Sequence, residues 1–232
     1  MLRVNGIWKS YGPVPAVRGV GFSLEKGRIT TLLGENGAGK TTILKIILGF
    51  LVPDAGTVEL GPGRVGYVAD QPAFFPWLRG RAILDLTRRS LGLPRPEWET
   101  RVRDLCGNLR FDPRLLERPP RTYSAGNVKK FAFLQSLALE PGLLVADEPF
   151  SALDPPSVKT TRDLLVAMRD RGAAVLLSSH MLAEMTRTSD DFIVIRRGKV
   201  AAHSGLPEFL TRVESAAAGD VESAFLGLIQ GC

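Results

Sequence analysis

Cysteine is almost missing from this chain: among 232 residues only Cys106 and Cys232 occur. Two thiols without CxxC spacing exclude a disulfide framework and suit a reducing compartment. No stretch reaches the roughly 18–20 consecutive apolar residues needed to cross a bilayer. The opening Met1-Leu2-Arg3-Val4-Asn5 has no apolar core of the kind a signal peptide carries. Internal repeats and low-complexity tracts are absent too. These absences lead us to expect a cytoplasmic chain whose work at a membrane, if any, needs another subunit. What is present is 44% hydrophobic and 23% charged residues, a balance that builds a compact core. The length suits one domain, or one domain with a helical insertion.

The formal net charge of +6 invites a nucleic-acid reading. The basic residues, however, are dispersed. Arg79/Arg81, Arg88/Arg89 and Lys129/Lys130 are short clusters without aromatic interleaving. A solvated, mildly basic surface is the simpler reading, and no nucleic-acid partner is expected. An anionic nucleotide or an anionic membrane face accounts for the bias equally well.

Apolar runs at 3–10, 16–24, 29–33, 57–60 and 64–68 predict short strands, bounded by Gly12-Pro13-Val14-Pro15 and Gly61-Pro62-Gly63. The dense pattern Ile43, Leu44, Ile46, Ile47, Leu48 predicts a buried helix starting at Lys40 and ended by Gly49. Between about 75 and 140 apolar residues recur at helical spacing, which predicts a helical insertion. Strand character returns at Leu143–Ala146, Ala173–Ser178 and Phe192–Ile195, with a helix over Val158–Asp170. This alternation implies a parallel sheet covered on both faces. The tail, about 206–230, reads as two helices linked near Ala216–Asp220.

Gly34-Glu35-Asn36-Gly37-Ala38-Gly39-Lys40-Thr41 fits G-x-x-x-x-G-K-[ST] without a mismatch, between a strand and a helix as the motif requires. Its glycines let backbone amides curl around phosphate oxygens that a Cβ would block. Lys40 would reach the β- and γ-phosphates, the Thr41 hydroxyl would hold Mg²⁺, and Thr42 completes the nucleotide-binding set. Farther on, Leu143-Leu144-Val145-Ala146-Asp147-Glu148-Pro149 is an apolar strand ending in two carboxylates. Asp147 suits Mg²⁺, directly or through water. Glu148, expected on the opposite side of the pleat, suits polarisation of an attacking water.

Asp147-Glu148-Pro149 followed by Ser151-Ala152-Leu153-Asp154 resembles the joined Walker B and D-loop of ABC-transporter ATPases. Tyr11 resembles the A-loop aromatic that stacks on adenine. Tyr123-Ser124-Ala125-Gly126-Asn127 resembles the signature loop, and His180 after Ser178-Ser179 resembles the switch histidine. The resemblance runs over about residues 2–210. It implies an α/β P-loop NTPase (ABC ATPase) core, here 1–74 and 141–210, with an N-terminal antiparallel β subdomain. It further implies a helical subdomain over about 75–140 and a helical tail over about 211–232. Two cassettes would dimerise head to tail, as homodimer or heterodimer, each ATP lying between one phosphate loop and the other chain's signature loop. Ser124, Ala125, Gly126 and Asn127 would then bind the γ-phosphate in trans, and His180 would contact it in cis. Asp154 would communicate across the dimer.

The signature departs from the common Leu-Ser-Gly-Gly-Gln form, with Ala125 for the first glycine and Asn127 for glutamine. Such Tyr-Ser-x-Gly-x variants resemble the branch that exports drugs, antibiotics, haem or polysaccharide. In the Q-loop, register from Tyr67 and Phe75-Pro76 puts Asp70 in the glutamine slot, with Gln71 as the alternative metal ligand. Phe74, Phe75 and Trp77 of Pro72–Leu78 would lie near a groove for the membrane subunit, or anchor the helical insertion. Only ten positions separate Thr57 from Tyr67, so the β arm is trimmed. A single phosphate loop, no coiled-coil insertion and a short tail argue against tandem, chromosome-associated and regulatory-domain members.

The leading expectation is an ATP-hydrolysing subunit, peripheral on the cytoplasmic face, that drives an integral membrane permease, in the export branch. The alternative is a soluble cassette ATPase acting on nucleic acid or a protein complex. A non-hydrolysing regulatory cassette is a third reading, and joint retention of Glu148 and His180 argues against it.

Overall fold

The computed structural model describes residues 2–216. In chain order its elements are β1 (Leu2–Tyr11), β2 (Val14–Leu24), β3 (Ile29–Leu33), α1 (Lys40–Ile47), β4 (Ala55–Leu60) and β5 (Val65–Val68). Then come α2 (Gly80–Ser90), α3 (Arg95–Asn108), α4 (Ala125–Leu137), β6 (Leu143–Asp147) and α5 (Pro155–Asp170). The last are β7 (Ala174–Ser179), α6 (Leu182–Met185), β8 (Asp191–Arg196), β9 (Lys199–Gly205) and α7 (Leu206–Ala216). Two 3₁₀ turns, Pro113–Glu117 and Pro120–Thr122, precede α4. The chain forms two compact units: residues up to Pro62 together with those from Met168 onward, and Gly63–Ala167.

The first unit holds two sheets. β1 pairs antiparallel with both β2 and β4, and its interior positions alternate with exposed ones, as expected of a sheet wet on one face. β3 is different. All five of its residues are buried, because β7 and β8 flank it in parallel register and both of its faces are covered. β9 returns antiparallel to β8 and closes that edge, so the sheet is not wholly parallel. α1 buries Ile43, Leu44, Ile46 and Ile47 along one side. The ring of Phe209 on α7 stacks on Phe192 of β8 with centroids 4.3 Å apart. Asp190 accepts from the Ile29 amide (2.8 Å) and from Arg169 (3.0 Å), which fixes the starts of β3 and β8 side by side.

The second unit pairs β5 with β6 in parallel, in the register Val68↔Ala146. The runs expected at 57–60 and 64–68 therefore part company: β4 joins β1, and β5 joins β6. Around α4, Phe131 meets Phe74 edge-on at 4.8 Å, and Phe111 and Tyr123 at 6.1 and 5.9 Å. The Tyr123 hydroxyl donates toward the carbonyls of Leu115 (2.6 Å) and Arg118 (3.0 Å), and burial pushes its pKa up to about 12. Tyr123 thus pins the residue before α4 to the 3₁₀ turn. Tyr123→Phe removes the donor and leaves those carbonyls short of a partner. It is expected to cost about 1–2 kcal/mol, a Tm fall of about 2–8 °C. An unchanged Tm in a thermal scan would show that the phenol is not an anchor.

Of the two helices expected over about 206–230, α7 accounts for the start. The remainder lies outside the described residues. β9 and α6 were not expected from the sequence. The second is one turn long, and the first is an edge strand.

Candidate functional site

In the first unit the residues 34–39 bridge the end of β3 and the start of α1. Gly39 has φ 108°, and a Cβ there would stand 2.5 Å from the Ala16 carbonyl oxygen. A Cβ on Gly34 would come within 2.4 Å of the Ile195 carbonyl. Neither position accepts any other residue without moving backbone. Glu35, Asn36 and Gly37 face outward, and the Ala38 amide donates to Glu35 O (3.1 Å) to close the turn. Lys40, 6% exposed, curls over the loop and donates to Gly34 O (2.6 Å) and Glu35 O (3.1 Å). Thr41 and Thr42 follow in the first turn of α1, with Thr41 exposed. A glycine-rich loop at a helix N-terminus fits an anionic phosphate.

The turn between β8 and β9 packs against this loop. The Gly198 amide donates to Ala38 O (2.9 Å), and the Arg18 amide donates to Gly198 O (2.7 Å). Arg196 and Arg197 line a cavity of about 290 Å³ together with Glu35, Asn36, Gly37 and Ala38. Sequence reasoning missed this basic pair, although Arg196-Arg197-Gly198 between two apolar stretches carries a turn signal. His180 follows β7 directly and is exposed. Because Leu33 pairs with Ser179, the phosphate loop and His180 leave neighbouring parallel strands at the same end. Ligands of open α/β sheets bind at that end. Tyr11 closes β1 opposite Val14 and is 51% exposed.

The second unit gathers the remaining residues. β6 ends at Asp147, which is 4% exposed. Glu148 lies one residue past the strand in a left-handed turn at φ 45°, so the pleat alternation expected from the sequence does not extend to it. The Glu148 carbonyl accepts from the Ser151 amide (3.2 Å) and from Lys129 Nζ (2.9 Å), and the Ser151 hydroxyl lies 3.0 Å away. That hydroxyl also lies 2.9 Å from Asp70 Oδ1, so Asp70 and the D-loop meet. Gln71 is exposed. Burial pushes the Lys129 ammonium down to about 8, against the upward pull of Asp70, Asp147 and Glu148.

Ser124 caps α4, its hydroxyl accepting from the Asn127 amide at 3.3 Å. A Cβ at Gly126 would stand 2.9 Å from the Ala152 carbonyl, so the retained glycine answers a close backbone approach. Ala125 is exposed, which is why the first glycine of the common motif can be replaced. Asp154 accepts from the Ser157 amide (3.1 Å), and Ser157, through its side chain first and its amide second, holds the carboxyl below the usual range. It caps α5.

The donor set fits Mg²⁺: the ion keeps several waters and takes one or two carboxylates plus substrate phosphates. Among the described residues no group of three or more His, Cys, Asp or Glu could hold a metal alone. The Asp147 carboxylate at the end of β6 in the second unit and, separately, the Thr41 hydroxyl in the first are each oxygen donors of the kind the ion takes.

A parallel sheet that ends in a glycine-rich phosphate loop, with an Asp-Glu strand end and a capped signature helix, defines a P-loop nucleotide-binding cassette. The family model described as ABC transporter matches residues 17–151, more than half of the chain. The chain belongs to the ABC transporter family as an ATP-binding subunit, and cassettes of this family are ATPases. It is 31% identical over 219 residues to the ABC-type transporter ATP-binding protein EcsA of Bacillus subtilis, covering 90% of this chain and 88% of that one. It is 36% identical to the Fe(3+) ions import ATP-binding protein FbpC 1 of Rhodococcus jostii, over 86% of this chain but only 61% of that protein's length. The Nod factor export ATP-binding protein I of Ralstonia nicotianae is 33% identical, over 91% of this chain and 69% of that one. A solved ATP-binding subunit of an ABC transporter superposes with TM-score 0.90 at 27% identity, covering 98% and 99% of the two chains. A cassette solved as a dimer in a post-hydrolysis state with ADP and Pi shares the fold, with TM-score 0.80 at 21% identity. Among the described residues no helix is long and apolar enough to cross a membrane.

Proposed function

We propose that this chain is the energy-coupling subunit of an exporter: it binds and hydrolyses ATP in a dimer of cassettes and so drives a separate membrane permease. The observations that carry the reading are the phosphate loop Gly34–Thr42, which leaves β3 at the same end as His180 leaves β7, and, in the second unit, the Asp147-Glu148 strand end beside a helix capped by Ser124. Residues 1–74 and 141–210 act as the ATPase core, about 75–140 as the helical subdomain, and about 211–232 as the tail.

The roles divide by chemistry. Tyr11 offers its exposed ring to adenine. The amides of residues 35–39 and Lys40 hold the phosphates. Thr41, Asp147 and Asp70 would hold Mg²⁺, with Gln71 the alternative to Asp70; such an ion would supply positive charge against the phosphates. Glu148 accepts a proton from the attacking water, and His180 keeps that water and the carboxylate in register. Ser124 and the first amides of α4 meet the γ-phosphate of the ATP held by the second cassette. ADP lacks that phosphate and leaves the dimer open.

Export is supported by the Tyr-Ser-x-Gly signature and by the Nod factor export relative. The similarity to iron import proteins favours the opposite direction, and a transport assay decides between them. The arginines Arg81, Arg88, Arg89 and Arg95 are each ion-paired to Glu117, Asp85 or Glu99, which supports a solvated surface over a nucleic-acid stripe. We expect the tagged chain to co-purify with an integral membrane protein, and its hydrolysis rate to rise with the square of its concentration. Hydrolysis stimulated by nucleic acid, with no membrane protein recovered, would favour the soluble alternative.

A further inference from the structure

Lys129 sits in the second turn of α4, five residues after Ser124, and is 1% exposed. An ammonium carries three protons and accepts nothing. Here the three are matched by carbonyls of Ala69 (3.0 Å), Asp70 (2.8 Å) and Glu148 (2.9 Å), with Asp147 O at 3.5 Å. The acceptors come from the ends of β5 and β6. Those strands pair up to Val68↔Ala146, and the four carbonyls lie beyond that last pair. Lys129 supplies donors there. The carboxylate of Asp70, 3.9 Å from the ammonium, also reaches Ser151, which in turn donates its amide to Glu148 O. The four residues form a closed ring around the Glu148 backbone.

A charge this deep is costly unless it is fully paired, and a packed apolar side chain would fill the same space at less cost. The ring therefore does something that packing alone does not. We propose that Lys129 is a positioning residue that locks the signature helix to the backbone of Glu148 and to Asp70, and so couples the two ATP sites of the dimer. The logic is geometric. In the proposed dimer Ser124 meets the nucleotide of one site while Glu148 of the same chain serves the other. Lys129 lies on the helix that Ser124 caps and holds the carbonyl of Glu148. Engagement of Ser124 is thereby transmitted to the carboxylate that acts on the opposite ATP. This inference rests on the proposed ATPase reading.

The test uses the full chain with its membrane partner and compares Lys129→Met, which has no donor, with Lys129→Gln, which has two. We expect kcat to fall about 10- to 100-fold in the Met variant and less in the Gln variant. KM and the ATP dissociation constant should stay within about twofold, since the residues assigned to ATP binding are unaltered, and the Hill coefficient for ATP should drop toward one. A kcat for Lys129→Met near the wild-type value, or a parallel loss of kcat and ATP affinity, overturns the proposal. If the Met variant does not fold, the Gln variant decides by the same criteria. A wild-type chain that does not hydrolyse ATP, or Glu148→Gln with undiminished turnover, overturns the ATPase reading instead, and this inference with it.

Discussion

Glu148→Gln is expected to bind ATP as tightly as the wild type and to hydrolyse it about 10²- to 10⁴-fold more slowly, the range a positioned general base contributes. The substitution keeps the volume and the backbone contacts. Ser151 and Lys129 both hold the carbonyl of residue 148, and the substitution keeps those contacts to the left-handed turn. What is lost is the ability to accept a proton from water. The ATP-bound dimer should then accumulate, visible by size-exclusion chromatography in ATP and absent in ADP. Phosphate release at the wild-type rate would remove Glu148 from the role of base.

The second large effect concerns Lys40. Its ammonium is buried under the loop and reaches two loop carbonyls, Gly34 O and Glu35 O. A nucleotide phosphate competes for the same donors with a full negative charge, a contact of the stronger, charge-assisted kind. Lys40→Ala deletes those contacts and the local positive charge together. Two such bonds at about 1.5–3 kcal/mol each correspond to at least about a hundredfold weaker binding. Calorimetric titration should therefore find no measurable ATP affinity in the concentration range that saturates the wild type. Undiminished affinity would mean that Gly34–Thr41 is a structural turn and not a phosphate site.

The elements that bury apolar runs were legible because their signal is local. Ile29–Leu33 and Leu143–Asp147 are unbroken, bounded by breakers, and both emerged as fully buried strands. β9 was not legible, since Lys-Val-Ala-Ala-His-Ser-Gly alternates weakly and lies at an edge, where burial is partial. Lys129 shows the harder limit. Beside Lys130 it reads as half of a surface basic pair, and only contacts from segments about 20 and 60 positions away enclose it. The turn at Glu148 was not legible for a related reason. A pleat rule applies within a strand, whereas φ at residue 148 is set beyond the strand end, where Lys129 and Ser151 hold the carbonyl. Motif residues could be named from the sequence; the contacts that hold them in place could not.

Five described residues other than glycine adopt positive φ: Arg110, Glu140, Glu148, Ala152 and Arg197. Three of them lie in the candidate site, and each such conformation costs about 1–3 kcal/mol. At Ala152 and Arg197 the side chain contributes nothing we have assigned to chemistry, but at Glu148 it is the proposed base. Glycine at 148 would relieve the backbone and remove that proposed base in one step. Thermal robustness and turnover are therefore set against each other at a single residue, and selection for a more heat-resistant form of this chain would have to find its gains elsewhere.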